Sequence, residues 1–231
     1  MLIRLFSFRP TWPGDVTDQF LRRQLMPALS ELPGVLALYA ARGSAETGDE
    51  RIVVSSWSID AGSAAAVELG SLLDAEHDEV ISEPTVELLS PLIAFDLDRP
   101  EPAQILRVFR GTVLAGRLAD YIDEAQAATL ADVAAEHAPH ALYLCPEPPN
   151  SFITVSIWAA WERLQAATGG NIRQPLGTRH AQLLASGSVT HYEIVPDTIA
   201  GRPGTPADEP HPAEGGASPT RLAELAVAEQ P

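Results

Sequence analysis

Arg51-Ile52-Val53-Val54-Ser55-Ser56-Trp57 returns in the same chain as Phe152-Ile153-Thr154-Val155-Ser156-Ile157-Trp158, with Ile, Val, Ser and Trp at matching places. Side chains alternate between faces along a strand. Each copy therefore has one apolar face, Ile52 and Val54 or Ile153, Val155 and Ile157, suited to a dry core. The other face carries Val53, Ser55 and Trp57, or Thr154, Ser156 and Trp158. Small hydroxyls beside a large ring with an N–H make up a cavity wall.

The surroundings repeat as well. Leu106-Arg107-Val108-Phe109 echoes Ile3-Arg4-Leu5-Phe6, and Tyr192-Glu193-Ile194 echoes Val86-Glu87-Leu88. After the first strand, the turn Trp12-Pro13-Gly14 leads to a predicted helix capped by Asp15. Its apolar stripe is Val16, Phe20, Leu21, Leu25, Leu29 and Leu32, stopped by Pro33-Gly34. Strands are predicted at Val35 to Ala41, Arg51 to Trp57 and Val86 to Phe95, with an Ala- and Leu-rich helix from Ser58 to about Ala75. The second unit has a helix bearing Leu118, Tyr121, Ile122, Ala125 and Val133, strands at Ala141 to Cys145 and Phe152 to Trp158, and a helix from Ala159 to Ala167. The expected class is α+β, with the element order βαββαβ twice in tandem, over residues 1–97 and 103–197. From residue 198 onward Pro, Gly, Ala and Glu dominate, the composition of a disordered tail. Residues 220–229 carry Leu222, Leu225 and Val227, the spacing of a short helix that docks on a partner.

Composition removes several classes of function. A net charge of −16 argues against nucleic acid and anionic membranes as partners. Every basic side chain is Arg and none is Lys, which excludes Schiff-base and Walker A chemistry. The single Cys145 excludes an intrachain disulfide or a cysteine-held cluster. No run approaches 18 apolar residues, so a soluble cytoplasmic protein, monomer or homodimer, is expected. Asp120, Asp123 and Glu124 read as a solvated helix face, and no metal is assigned.

A βαββαβ unit whose third strand closes on Ser and Trp resembles the antibiotic biosynthesis monooxygenase group of the dimeric α+β barrel superfamily. The resemblance covers residues 1–197 and implies two tandem ferredoxin-like units forming a pseudo-dimeric α+β barrel within one chain, with ligands held between helices and sheet or inside the barrel. In members that oxidise polycyclic aromatics with molecular oxygen and no cofactor, an Asn precedes the Trp by four residues and a Tyr follows it by six. Here those places hold Val53 and Ser63, or Thr154 and Leu164. In haem-degrading members an Asn on the first strand works with a Trp and a His ten residues apart on the second helix. Asn150 and Asn171, the only Asn residues, lie in predicted loops.

Candidate site residues follow from strand order. In a ferredoxin-like sheet the first strand lies between the third and fourth, which places Arg4 between Trp57 and Glu87, and Arg107 between Trp158 and Glu193. Such an Arg orients an anionic or enolic ligand on a stacking Trp, or it forms a structural pair with Glu. Arg107, Trp158 and Tyr143 are the candidate catalytic residues: enolate stabilisation, stacking and hydrogen bonding. Trp161, Trp57 and Arg4 are candidate binding residues, and Trp161 has no counterpart in the first unit, where Asp60 stands. His77 and His180, 20 and 22 residues after the two Trp, are candidates for ligating haem or acting as a base. The expected activity is a cofactor-independent monooxygenase acting on a small aromatic or polyketide-type molecule. Two alternatives stay open: a non-catalytic binding or interaction module, and a haem-binding or haem-degrading protein.

Overall fold

The computed structural model describes residues 1–44, 48–58, 80–97, 101–133, 138–174, 182–198 and 200–201. The repeated stretches are strands buried along nearly their whole length, β3 (Arg51–Trp57) and β8 (Ser151–Trp158). Around them run β1 (Leu2–Pro10), β2 (Val35–Gly43), β4 (Ile81–Leu89), β5 (Ile93–Asp96), β6 (Ile105–Val113), β7 (Ala141–Glu147), β9 (Leu184–Ile194) and β10 (Ala200–Gly201). The ladder order is β4-β1-β3-β2-β9-β6-β8-β7-β5, with β10 on β2. All described pairings are antiparallel. The order β4-β1-β3-β2 recurs as β9-β6-β8-β7, so each half has its first strand between its third and fourth, as expected.

Alternation then sorts the faces. Ile3, Leu5, Ile52 and Val54 from one half share a single core with Leu106, Val108, Ile153 and Val155 from the other. Burying one such side chain contributes roughly 1.5–3 kcal/mol, so the shared face holds the halves together. The ladder curls round this core: its two ends, β4 and β5, are joined by only Ser90, Pro91 and Leu92, and the Leu92 N–H donates to the Leu144 carbonyl at 2.9 Å. The opposite face takes the helices. Helix α1 (Gly14–Phe20), a π-helical segment (Leu21–Leu25) and α2 (Met26–Ser30) cover Phe6, Phe8, Val53 and Trp57. Helix α3 (Leu118–Val133) lays Tyr121 and Ala125 on Phe109 and Phe152, and α4 (Trp161–Ala167) lays Leu164 on Ile105 and Trp158.

Several boundaries differ from expectation. The first helix widens to π geometry just before Pro27, whose missing N–H and bulky ring disturb the α ladder one turn back. Asp15 lies in the first turn, and Pro13 occupies the N-cap. The strand expected from Val86 to Phe95 is two strands, and the first starts at Ile81, ahead of Pro84. A proline is tolerated there because β4 ends the ladder. The tail boundary at 198 is too early: Thr198 is buried, its hydroxyl donates to the Ala40 carbonyl at 3.2 Å, and β10 follows. Residues 202–231, with the docking segment 220–229, and most of the helix expected after Ser58 lie outside the described residues.

Candidate functional site

On the helix-facing side, strand register lines up three side chains in each half. Leu88, Arg4 and Ser55 are directly opposite one another across β4, β1 and β3. His191, Arg107 and Ser156 form the same row across β9, β6 and β8. Such neighbours have Cβ atoms about 4.5–5.5 Å apart. Next along β3 and β8 stand Trp57 and Trp158, whose indole N–H groups donate to Ser55 Oγ at 2.8 Å and Ser156 Oγ at 2.9 Å. The serine satisfies the indole's one polar atom, and the ring serves as an apolar wall.

The second row encloses a guanidinium almost without partners. Arg107 has no exposed surface, and only its Nη2 is engaged, donating to the Gln174 carbonyl. Nε and Nη1 are buried with no hydrogen-bond partner among the described residues. No carboxylate among the described residues lies within ion-pairing distance of it. Its Cζ stands 5.3 Å from the centre of the Phe109 ring. Burial pulls its pKa down to about 10. Arg4 is similar: 4% exposed, Nε without a partner among the described residues, 5.6 Å from the Phe6 ring, and also lowered to about 10 by burial. Buried polar groups are ordinarily satisfied, so these donors depart from the usual pattern of a protein interior.

The expected Arg–Glu pairs do not form. Glu87 faces the other side of the sheet opposite Leu5, and both its oxygens bind Arg110, at 2.6 and 2.8 Å. Glu193 shares a face with Arg107 but is opposite Ile105, and Arg42 holds it at 3.0 Å. Tyr143 is also corrected: β7 points it into the shared core, opposite Val155, and its hydroxyl donates to Asp96 at 2.6 Å. Burial, then the Asp96 charge, pushes its pKa well up. Cys145 lies on that inner face too. Neither belongs to the Arg107 wall.

Trp161, half-buried, stands edge-on to His191 with ring centres 5.3 Å apart. Beyond Phe109 the wall continues into Phe152, 5.8 Å away, and Tyr121, stacked on Phe152 at 4.2 Å. The rings lie flat because glycines make room for them. A Cβ on Gly111 would come 2.3 Å from the Phe152 ring, and one on Gly187 would come 2.7 Å from Phe109. The structure therefore brings together Arg107, Trp158 and Trp161, and separately Arg4 and Trp57. His77 and His180 lie outside the described residues.

His191 is the residue the sequence reading missed. Matching Tyr192-Glu193-Ile194 to Val86-Glu87-Leu88 misplaces the last strand by three residues, and an odd shift exchanges its faces. The register pairs Leu88 with Arg4 and His191 with Arg107, so those two are the equivalent positions. Anchoring the comparison on the arginine row, with alternation, exposes the histidine. A groove of about 410 Å³ opens at the far end of β6, β8 and β9, where Arg110, Thr112, Glu147 and Ser188 line it beside Gly111, Phe152 and Gly187 of the aromatic wall. It is open to solvent, and its arginine is already held by Glu87.

No family model matches the chain, and no curated protein matches it in sequence. Solved structures do match in fold. A candidate monooxygenase from Lactobacillus acidophilus aligns with a TM-score of 0.67 at 11% identity, over 87% of this chain and 96% of that one. A second, from Fusobacterium nucleatum, gives 0.67 at 12% identity, over 88% and 95%. An anthrone oxidase-like protein gives 0.51 at 12% identity, over 84% and 90%. The shared property is the ferredoxin-like α+β fold of these proteins.

Proposed function

We propose that this chain is a cofactor-independent monooxygenase acting on a small aromatic or polyketide-type ketone, held between sheet and helices of the second half. The observation that carries the reading is the Arg107 guanidinium: fully buried, uncompensated by any described carboxylate, two of its nitrogens unpartnered among the described residues, and walled by aromatic rings. An enolate oxygen supplies what these donors lack, and in a dry site the charge-assisted bond is strong. Trp158 and Trp161 would flank a flat ring system. The ligand reaches the guanidinium by displacing the Gln174 carbonyl or the half-buried Trp161. The enolate then gives electrons to oxygen: a CH₂ becomes C=O, one oxygen atom entering the ketone and the other leaving as water.

Thr154 and Leu164 stand where the resembling oxygenases carry Asn and Tyr, and Leu164 is fully buried beside Trp158. This favours a second reading, a non-catalytic module binding the same kind of molecule. Oxygen uptake and quinone formation with anthrone, a tricyclic ketone suggested by the oxidase-like structural neighbour, separate the two. The monooxygenase reading expects turnover that falls at least ~100-fold in Arg107→Ala and Trp158→Ala. Unchanged turnover in both variants refutes it. Binding without oxygen uptake selects the module.

A further inference from the structure

We infer that His191 is the base of the second half's site, the group that takes the proton when a bound ketone becomes an enolate on Arg107. This rests on the reading of that site as an enolisable-ketone pocket, and it adds the residue that performs the first chemical step.

Three observations converge on it. First, His191 is 3% exposed and directly opposite Arg107 in the β6–β9 ladder, so imidazole and guanidinium are neighbours on the helix-facing side of the sheet. Second, the Arg-Ser-Trp arrangement occurs in both halves, but the place opposite the arginine holds His191 in one and Leu88 in the other. Leu88 cannot accept a proton, and it is 51% exposed, whereas the His191 side of the sheet is enclosed. Third, Trp161 abuts His191 edge-on at 5.3 Å, and the aligned place after Trp57 is Asp60. The two differences sit side by side in the folded chain although 30 residues separate them in sequence. The structure thus duplicates the anion-holding device and equips only one copy with a base.

The charges suit the step. Arg107 on β6 stands opposite His191 and Trp161 on α4 stands against its ring, while Glu193, two places along β9, is engaged by Arg42. An imidazolium beside a buried guanidinium is a repulsive pair unless a negative charge stands between them. Transfer of the proton creates the negative enolate between the two cations, so charge separation is compensated where it arises. The ketone's C–H bond breaks, its electron pair moves to carbon and oxygen of the enolate, and the proton forms a new N–H bond on the imidazole. No oxidant takes part until this is complete.

Exclusion of oxygen isolates the step. Anthrone is incubated with the full-length protein in D₂O under nitrogen, and deuterium entering its CH₂ group is followed by mass spectrometry. Binding is measured separately by quenching of tryptophan fluorescence. The wild type is expected to bind anthrone and accelerate exchange over buffer. In His191→Asn, exchange falls at least ~100-fold, while binding stays within about threefold and the melting temperature is kept; His191→Gln behaves the same way. Undiminished exchange in either folded variant overturns the role of His191 and leaves the pocket reading intact. Loss of binding with loss of exchange makes His191 a binding residue and also overturns it. A wild type that neither binds anthrone nor exchanges it removes the pocket reading itself, and the inference with it.

Discussion

Replacing Arg107 by Met separates a site residue from a structural one. A structural arginine destabilises the fold when removed; one kept for a ligand is a burden on the empty protein. The fall of the Arg107 pKa from 12.5 to about 10 corresponds to about 3 kcal/mol against the charged form in the folded state. The sign is plain. Because the folded pKa lies below the unfolded one, the guanidinium is charged in both states at neutral pH, and the folded state bears the penalty until the pH rises through about 10. Against this stand the Phe109 contact, ~0.5–2 kcal/mol, and the bond to the Gln174 carbonyl, roughly 1–2 kcal/mol. Gln174 is exposed, so its carbonyl regains water when the arginine goes. Met fills most of the space with no charge. Arg107→Met is therefore expected to be as stable as the wild type or more stable by up to ~2 kcal/mol, while losing anthrone binding. Urea unfolding at pH 7 measures the first and fluorescence titration the second. A loss of more than ~2 kcal/mol, seen as a fall of roughly 4–8 °C in melting temperature, would show that Arg107 holds the fold together.

Four further outcomes follow from the packing and the buried charges. Gly111→Ala should cost ~1–3 kcal/mol, because the new Cβ meets the Phe152 ring at 2.3 Å; an unchanged urea midpoint contradicts this placement of the rings. Asp18→Asn should cost ~3 kcal/mol or more, since it strands the buried Arg51, held at 3.0 Å, and loosens Arg42 at 3.4 Å. Adding Arg51→Met should recover part of that loss in thermal melts, and strictly additive losses would deny the pairing. All four tyrosines, Tyr39, Tyr121, Tyr143 and Tyr192, are pushed above the ordinary value of 10 chiefly by burial. Raised folded values favour the neutral phenols, so their contribution to stability is whole below about pH 10 and is lost above it; phenolate absorbance should rise only together with unfolding, and one tyrosine titrating normally in the folded protein breaks the claim. Cys145, raised to about 12 by burial and then by Glu147, should react with a disulfide probe at pH 8 at least ~100-fold slower than in urea.

Much of the architecture was legible from residue order. The echo of Arg51 to Trp57 in Phe152 to Trp158, with alternation, located these two strands and their dry faces, because these depend on local periodicity, and the family resemblance supplied the strand order around them. It also found Arg4, Arg107, Trp57 and Trp158, each marked by its place on a strand. Details that depend on distant partners were not legible. Glu87 and Glu193 looked like partners for the arginines, Tyr143 looked like part of the same wall, and His191 went unnoticed, all because a fourth strand's register cannot be counted from its own residues.

The sequence by itself therefore determined the repeated strand pattern and the α+β class, and put Arg, Ser and Trp on neighbouring strands of each half, since a period of two and apolar burial are written in neighbouring residues. Only the tertiary structure decided that Arg107 has no carboxylate facing it among the described residues and that His191 borders it instead. Cross-strand register is set by the packing of the whole sheet, and a shift of one residue turns every side chain of a strand to the opposite face.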